Sequence, residues 1–229
     1  AGEGLVGSWF ALVAYATTAA ASKTGLLSGV TNWVKGLWVT DLTTIPATIG
    51  LPSWGGVVIL AGVTGLIVHR FIVLERSRPA QIQLPAQRTG LAHLLLEKQW
   101  NPLATGFLVG VVAVIAWPTS WASGRPDGLG ITTPSSNLVN LIVTGEAERL
   151  DWGVLLVLGI LLGSFLAAKA SGEFRVRVPS AQVIQRSIAG GVLMGIGAVW
   201  AGGCSIGNAL VQTSLLSWQG WIALVFQVL

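Results

Sequence analysis

The chain has 229 residues, of which 52% are hydrophobic and only 10% charged, with a mean hydropathy of +0.72 and a net charge of +4. A soluble domain carries about 25% charged residues, so this composition excludes a soluble enzyme, a nucleic-acid binder and a disordered protein. The single cysteine, Cys204, excludes an internal disulfide and any zinc site with two or more cysteine ligands.

A bilayer's hydrocarbon core is about 30 Å thick and takes roughly 20 helical residues to cross. In chain order the candidate spans are Leu5–Ala21, Trp54–Leu74, a short Pro102–Trp117, Trp152–Ala170, a short Ser187–Trp200, and a run that begins at Trp218 and continues to Leu229. Runs as short as the third and fifth read as buried or re-entrant helices. Tryptophan supplies 11 of the aromatics against six Phe and one Tyr. Trp9, Trp54, Trp117, Trp121, Trp152, Trp200, Trp218 and Trp221 mostly flank apolar runs, as interfacial anchors do. No charged n-region or small-residue cleavage site precedes the first run, so it is expected to be a span and no signal peptide. A start at Ala1 and an apolar run that stops at Leu229 lead us to expect further sequence at both ends.

Charge orients the spans. Arg70 to Lys98 holds five basic residues against Glu75 and Glu97, and Lys169 to Arg186 holds four against Glu173. The positive-inside rule places both segments in the cytoplasm. Thr119 to Asp151 carries Asp127, Glu146, Glu148 and Asp151 against Arg125 and Arg149, and belongs outside. The orientation of Leu5–Ala21 stays open, because Lys23 and Lys35 follow it. His69 and Arg70 lie near the inner end of their span, where a basic side chain can snorkel to water.

An internal repeat is visible. Trp54-Gly55 and Trp152-Gly153 each open an apolar helix that leads into a basic loop. Gly106-x-x-x-Gly110 then corresponds to Gly191-x-x-x-Gly195, and small residues four apart let membrane helices approach closely. The candidate units are 54–117 and 152–210, within one membrane domain over 1–229. Duplicated halves place a substrate site at their interface. The expected fold is an all-α integral membrane protein, a polytopic bundle with short re-entrant helices.

Two loops carry candidate chemistry. In Ala201–Leu210, Gly202, Gly203 and Gly207 are poor helix formers and break the helix. A break at membrane depth exposes backbone N–H groups that attract anions. Cys204, Ser205 and Asn208 sit at that break as a thiol, a hydroxyl and an amide. A polarisable thiol suits a sulfur-bearing anion better than a hard metal ion, although a lone buried cysteine is also an ordinary packing residue. Gly203-Cys-Ser-Ile-Gly207 fits the hydrolase nucleophile elbow, but that motif needs a preceding strand, and here an apolar helix precedes it. The second loop, Gly124–Asn137, offers Gly128, Gly130, Thr132, Thr133, Ser135, Ser136 and Asn137. It reads either as a second half-site for a small anion or as an ordinary external loop. Pro134-Ser-Ser-Asn137 is expected to start a short helix over Leu138–Val143. No phosphate-binding Gly-x-x-x-x-Gly-Lys motif is present, and no cofactor or metal is expected.

The blocks Trp152–Gly163, Ala167–Arg175, Gly190–Gly195, Ala201-Gly-Gly-Cys-Ser-Ile-Gly-Asn208 and Leu216-Ser-Trp-Gln-Gly220 resemble the YeeE/YedE family, as does Gly128–Asn137. The resemblance is strong over Gly106–Phe226, and the Gly-Gly-Cys block is its most specific piece. It implies a multi-pass bacterial inner-membrane protein of hourglass shape that takes up thiosulfate or a related sulfur anion. Central thiols would handle the anion through S–H···S contacts, and a small TusA-like sulfur carrier would serve on the cytoplasmic side. Cys204 matches the family's Gly-Gly-Cys cysteine. Family members that take up thiosulfate carry further central cysteines, whereas these 229 residues hold one. The expected site is Cys204 with Gly202, Gly203, Ser205, Gly207 and Asn208, joined by Gly130, Thr132, Thr133 and Asn137. A non-transporting membrane subunit and a membrane enzyme forming a persulfide on Cys204 are the alternatives.

Overall fold

The computed structural model describes residues 4–37, 43–76 and 100–229, and for residues 75 and 76 only the backbone. Most of the basic segment Arg70–Lys98, including His93, therefore lies outside the described residues. The rest is helical: α1 (Val6–Lys23), α2 (Ser28–Gly36), α3 (Ile45–Ile49), α4 (Ser53–Arg76), α5 (Pro102–Ala122), α6 (Thr132–Thr144), α7 (Trp152–Ser171), α8 (Ala181–Trp200), a π-helical turn over Ile206–Gln212, and α9 (Trp218–Val228). Only two isolated bridges, Leu5 with Arg177 and Thr44 with Ser217, occur among the described residues. The protein is an all-α polytopic membrane protein.

Among the described residues four helices are long and apolar enough to cross a membrane: Ser53–Leu74, Pro102–Ala122, Trp152–Ser171 and Ala181–Trp200. Two were expected to be short. Pro118 does not end α5, which runs on through Thr119 and Ser120 to Ala122. A proline removes only its own N–H bond, and a helix can continue past it. The fifth run gains a polar first turn, so α8 begins at Ala181 and takes in Gln185 and Arg186. Asn101 and Asp151 cap α5 and α7 by accepting from Leu103 N and Val154 N, both at 2.8 Å.

The first run behaves differently. It is not among those four, and one side of it packs on protein: Tyr15, Ala16, Ala19, Ala20 and Ser22 are buried. Helix α1 lies along α8 in parallel. Gly7 faces Ser187, Gly191 faces Ala11, and Gly195 faces Tyr15 and Thr18, in matched steps of four residues. A Cβ at Gly195 would fall 2.6 Å from the Tyr15 carbonyl oxygen. The small-residue spacing of α8 thus does what its pattern promises. Gly106 and Gly110 of α5 have nothing within 4 Å of the equivalent point.

The ends of α1 settle its direction relative to the charged loops. Val6 N donates to Arg177 O at 3.2 Å, on the basic loop. Lys23 Nζ donates to Thr133 Oγ1 at 3.0 Å, in the acid-rich segment. Helix α1 therefore runs from the basic loop towards the acid-rich segment, in the same direction as α8.

Helix α6 has 13 residues, about 20 Å at 1.5 Å per residue, too short to span. Its first residue, Thr132, meets Tyr15 in mid-α1, while Asn140 donates to Thr24 beyond the end of α1. The chain dips inward after α5 and α6 climbs back beside α1, as a re-entrant helix does. It starts at Thr132, earlier than the sequence reading had it. Pro134 is tolerated in the first turn, where the N–H groups have no intrahelical partner.

Candidate functional site

The break after α8 is built from glycine and a buried amide. Gly202 takes a left-handed backbone with φ of 74°, and a Cβ there would sit 2.5 Å from Gln219 Nε2. Asn208 is fully buried; its Nδ2 donates to Gly203 O at 2.8 Å and to Ala201 O at 3.2 Å. Gln219 Nε2, from α9, donates to Asn208 Oδ1 at 2.9 Å and to Ala201 O at 3.0 Å. The carbonyls freed at the end of α8 are thus paired by side chains, as non-helical backbone inside a membrane protein must be. The chain then turns through the wide π-helical segment, a geometry that recurs at functional sites.

A second irregular stretch meets this break. After α5, Gly124 also adopts a left-handed backbone, with φ of 83°. Ser120 Oγ donates to Arg125 O at 3.0 Å, and the Arg125 guanidinium lies 3.4 Å from Gly128 O and 3.8 Å from Asp127. Gly128 must be small, because a Cβ there would meet the Trp117 indole at 2.8 Å and Val211 at 3.1 Å. These contacts deliver the start of α6 to the break. Trp117 and Trp152 pack around Ala116, Leu129 and Val211 below it, so these two tryptophans serve as packing residues.

Between the two stretches lies a cavity of about 240 Å³. It is smaller than the roughly 300–1,000 Å³ of pockets for drug-sized ligands, and suits a small ion with some water. Gly130, Thr132, Thr133, Gly202, Gly203, Cys204 and Gly207 line it. So do Lys23, Lys35 and Arg125, against one acid, Asp127. Lys23 comes from α1, Lys35 from α2 and Arg125 from the loop before α6, so three elements contribute positive charge to one space.

Cys204 is partly exposed to the cavity. Burial alone would push its thiol pKa up. Backbone N–H groups of Gly207, Ile131 and Ile206 and the Thr132 hydroxyl act against that by hydrogen bonding to sulfur, and the net direction is down. Polar groups of both stretches thus favour negative charge on the sulfur.

Three expected site residues are not at the cavity. Ser205 is exposed and points elsewhere. Asn208 is turned inward to pair the break, which leaves its amide no free donor for an anion. Asn137 Nδ2 donates to Asp151 Oδ2 at 3.0 Å and ties α6 to the start of α7. The sequence reading had passed over Lys23, Lys35, Arg125, Tyr15 and Gln219. Lysines beside the acid-rich segment depart from the charge sorting of the other loops, and that departure was the available signal for two of them.

A family model described as Sulphur transport matches residues 1–229. The thiosulfate transporter TsuA of Escherichia coli strain K12 is 48% identical over 232 residues, covering 100% of this chain and 64% of that protein. The thiosulfate transporter TsuA of Spirochaeta thermophila is 33% identical over 242 residues, covering 100% of this chain and 66% of the relative. The chain thus spans a little under two thirds of the length of these curated relatives.

Proposed function

The chain belongs to the sulphur transport family, and from that premise we propose that it takes up thiosulfate or a related small sulfur-containing anion across the bacterial inner membrane. One observation carries the reading: the single thiol stands at a paired helix break, on a small cavity where Lys23, Lys35 and Arg125 outnumber Asp127. The bases raise the local concentration of a small anion. In this reading the Thr133 hydroxyl and Lys23 ammonium, which line the cavity together, bind oxyanion oxygens, and the Cys204 thiol meets a terminal sulfur. Gly202, Gly203, Gly207 and Gly130 keep side chains out of the space, while Asn208 and Asn137 hold the walls. Transport here needs no chemical change in the anion.

Two further elements belong to this proposal. The units 54–117 and 152–210 are duplicated halves, a reading supported by the recurrence of a long helix, a left-handed glycine and a short helix after both α5 and α8. A TusA-like sulfur carrier takes the cargo on the cytoplasmic side, where Arg175 and Arg177 are exposed.

Uptake of sulfur-labelled thiosulfate by cells that depend on this protein tests the reading. Cys204→Ala should lower uptake at least about tenfold, equivalent to ~1.4 kcal/mol. Uptake equal to the parent protein would remove the thiol from the mechanism. Cys204→Ser separates sulfur chemistry from polarity, and only the former predicts that serine also fails.

A further inference from the structure

Asn208 and Gln219 spend their amides on the helix break, so neither has a donor to offer the cavity. A third carboxamide stands four residues beyond Asn208. Gln212 closes the π-helical turn, is half-buried, and lines the cavity together with Cys204, Gly207 and Val211. Among the described residues it is the only carboxamide in that lining. Its side chain makes no hydrogen bond among those residues.

The backbone of Gln212 is held from behind by α9. Gly220 of α9 is buried, and a Cβ there would fall 2.5 Å from the Gln212 carbonyl carbon and 2.7 Å from the Gln212 Cβ. Ser217 N donates to Gln212 O at 3.0 Å. That bond closes over Leu216, which takes a left-handed backbone with φ of 55°, a conformation a bulky residue rarely adopts. The close approach of Gly220 and the fold-back at Leu216 therefore fix where Gln212 stands. With α9 filling one side, the amide is left the cavity.

We propose that Gln212 is an anion-binding residue of the transport site, donating Nε2–H to an oxyanion oxygen of the cargo. This inference rests on the transport reading above and names the amide donor that Asn208 does not supply. A carboxamide brings two N–H donors and no net charge. Lys23, Lys35 and Arg125 already attract the anion from three elements. A neutral donor adds direction to that attraction without a further full charge, and a transport site must release what it binds.

Equilibrium binding of sulfur-labelled thiosulfate to the purified full-length protein in lipid nanodiscs tests this. Gln212→Met keeps the length of the side chain and removes its donors. Its Kd should rise at least about tenfold, as expected when a hydrogen bond to a charged acceptor is lost. Gln212→Glu keeps the shape but only accepts, and its charge opposes the anion, so its Kd should rise further. Melting temperature without thiosulfate shows whether each variant is folded. A parent-like Kd in folded Gln212→Met would overturn the inference and leave the transport reading standing. If Gln212→Met fails to fold, a parent-like Kd in Gln212→Glu would overturn it equally. A parent protein that binds no thiosulfate would remove the transport reading, and this inference with it.

Discussion

Gln219 Nε2 lies 2.9 Å from Asn208 Oδ1 and 3.0 Å from the carbonyl oxygen of Ala201. The bond joins α9 to the break that carries Cys204. Asn208 is fully buried and supplies both donors for the Gly203 and Ala201 carbonyls, whereas Gln219 is exposed and shares one of them. Asn208→Ala should therefore destabilise the protein by about 1–3 kcal/mol, the cost of orphaned buried acceptors. Gln219→Ala should cost less, since Ala201 O keeps its bond from Asn208. Melting temperatures in detergent check the order, and a larger loss for Gln219→Ala would contradict the pairing described.

The two Gly-x-x-x-Gly motifs should respond oppositely to added bulk. Gly195 packs against α1, so Gly195→Val forces the Tyr15 backbone away and should cost about 1–3 kcal/mol, as overpacking does. Gly110 has open space beside it, and Gly110→Ala should be neutral or slightly stabilising, because alanine favours a helix by roughly 0.5–1 kcal/mol over glycine. Thermal stability of the two variants decides this. Destabilisation by Gly110→Ala would mean that its face is covered.

Lys23 and Arg125 bring charge to the cavity from separate elements. Neutralising either, as Lys23→Gln or Arg125→Gln, should raise the apparent KM for thiosulfate uptake by roughly tenfold at low ionic strength, and less as salt screens the attraction. A change in maximal rate alone, with KM and its salt dependence untouched, would show that these bases do not gather the anion.

The Cys204 pKa is lower in the folded protein than in an ordinary thiol: burial raises it, but hydrogen bonds from Gly207, Ile131, Thr132 and Ile206 outweigh that. Between the folded and unfolded values the unfolded chain binds the extra proton, so stability rises with pH through that window and is lost as pH falls through the folded value. Reaction of Cys204 with a neutral alkylating agent should accordingly reach half-maximum below the pH found for the denatured chain. A folded profile lying above the denatured one would reverse the assignment.

Several features were legible because they are local. Apolar runs, the break at Gly202 and Gly203, and the thiol beside them all act through neighbours in sequence, whereas Gly207 falls inside the π-helical turn. Others were misjudged for local reasons too. The apolar run Pro102–Trp117 looked short because Thr119 and Ser120 follow it, yet α5 continues past Pro118 to Ala122, since one missing N–H does not end a helix whose other bonds persist. Asn208 looked like a donor to substrate, because sequence shows an amide beside a thiol and not which way it turns.

By itself the sequence determined the membrane class, the places where helices break, and the sorting of basic and acidic loops, since hydropathy, backbone propensity and charge are properties of short segments. Only the tertiary structure decided that the Gly124–Thr133 stretch and the Gly202–Gly207 break enclose one cavity, that Lys23 and Lys35 join Arg125 there, and that Tyr15 of α1 donates to Thr132 at the start of α6. The physical reason is the solvent. In lipid, a helix such as α7 is apolar on every face, so no stripe announces its partner. Which faces meet then depends on small-residue fit and on polar groups that must find one another across the chain.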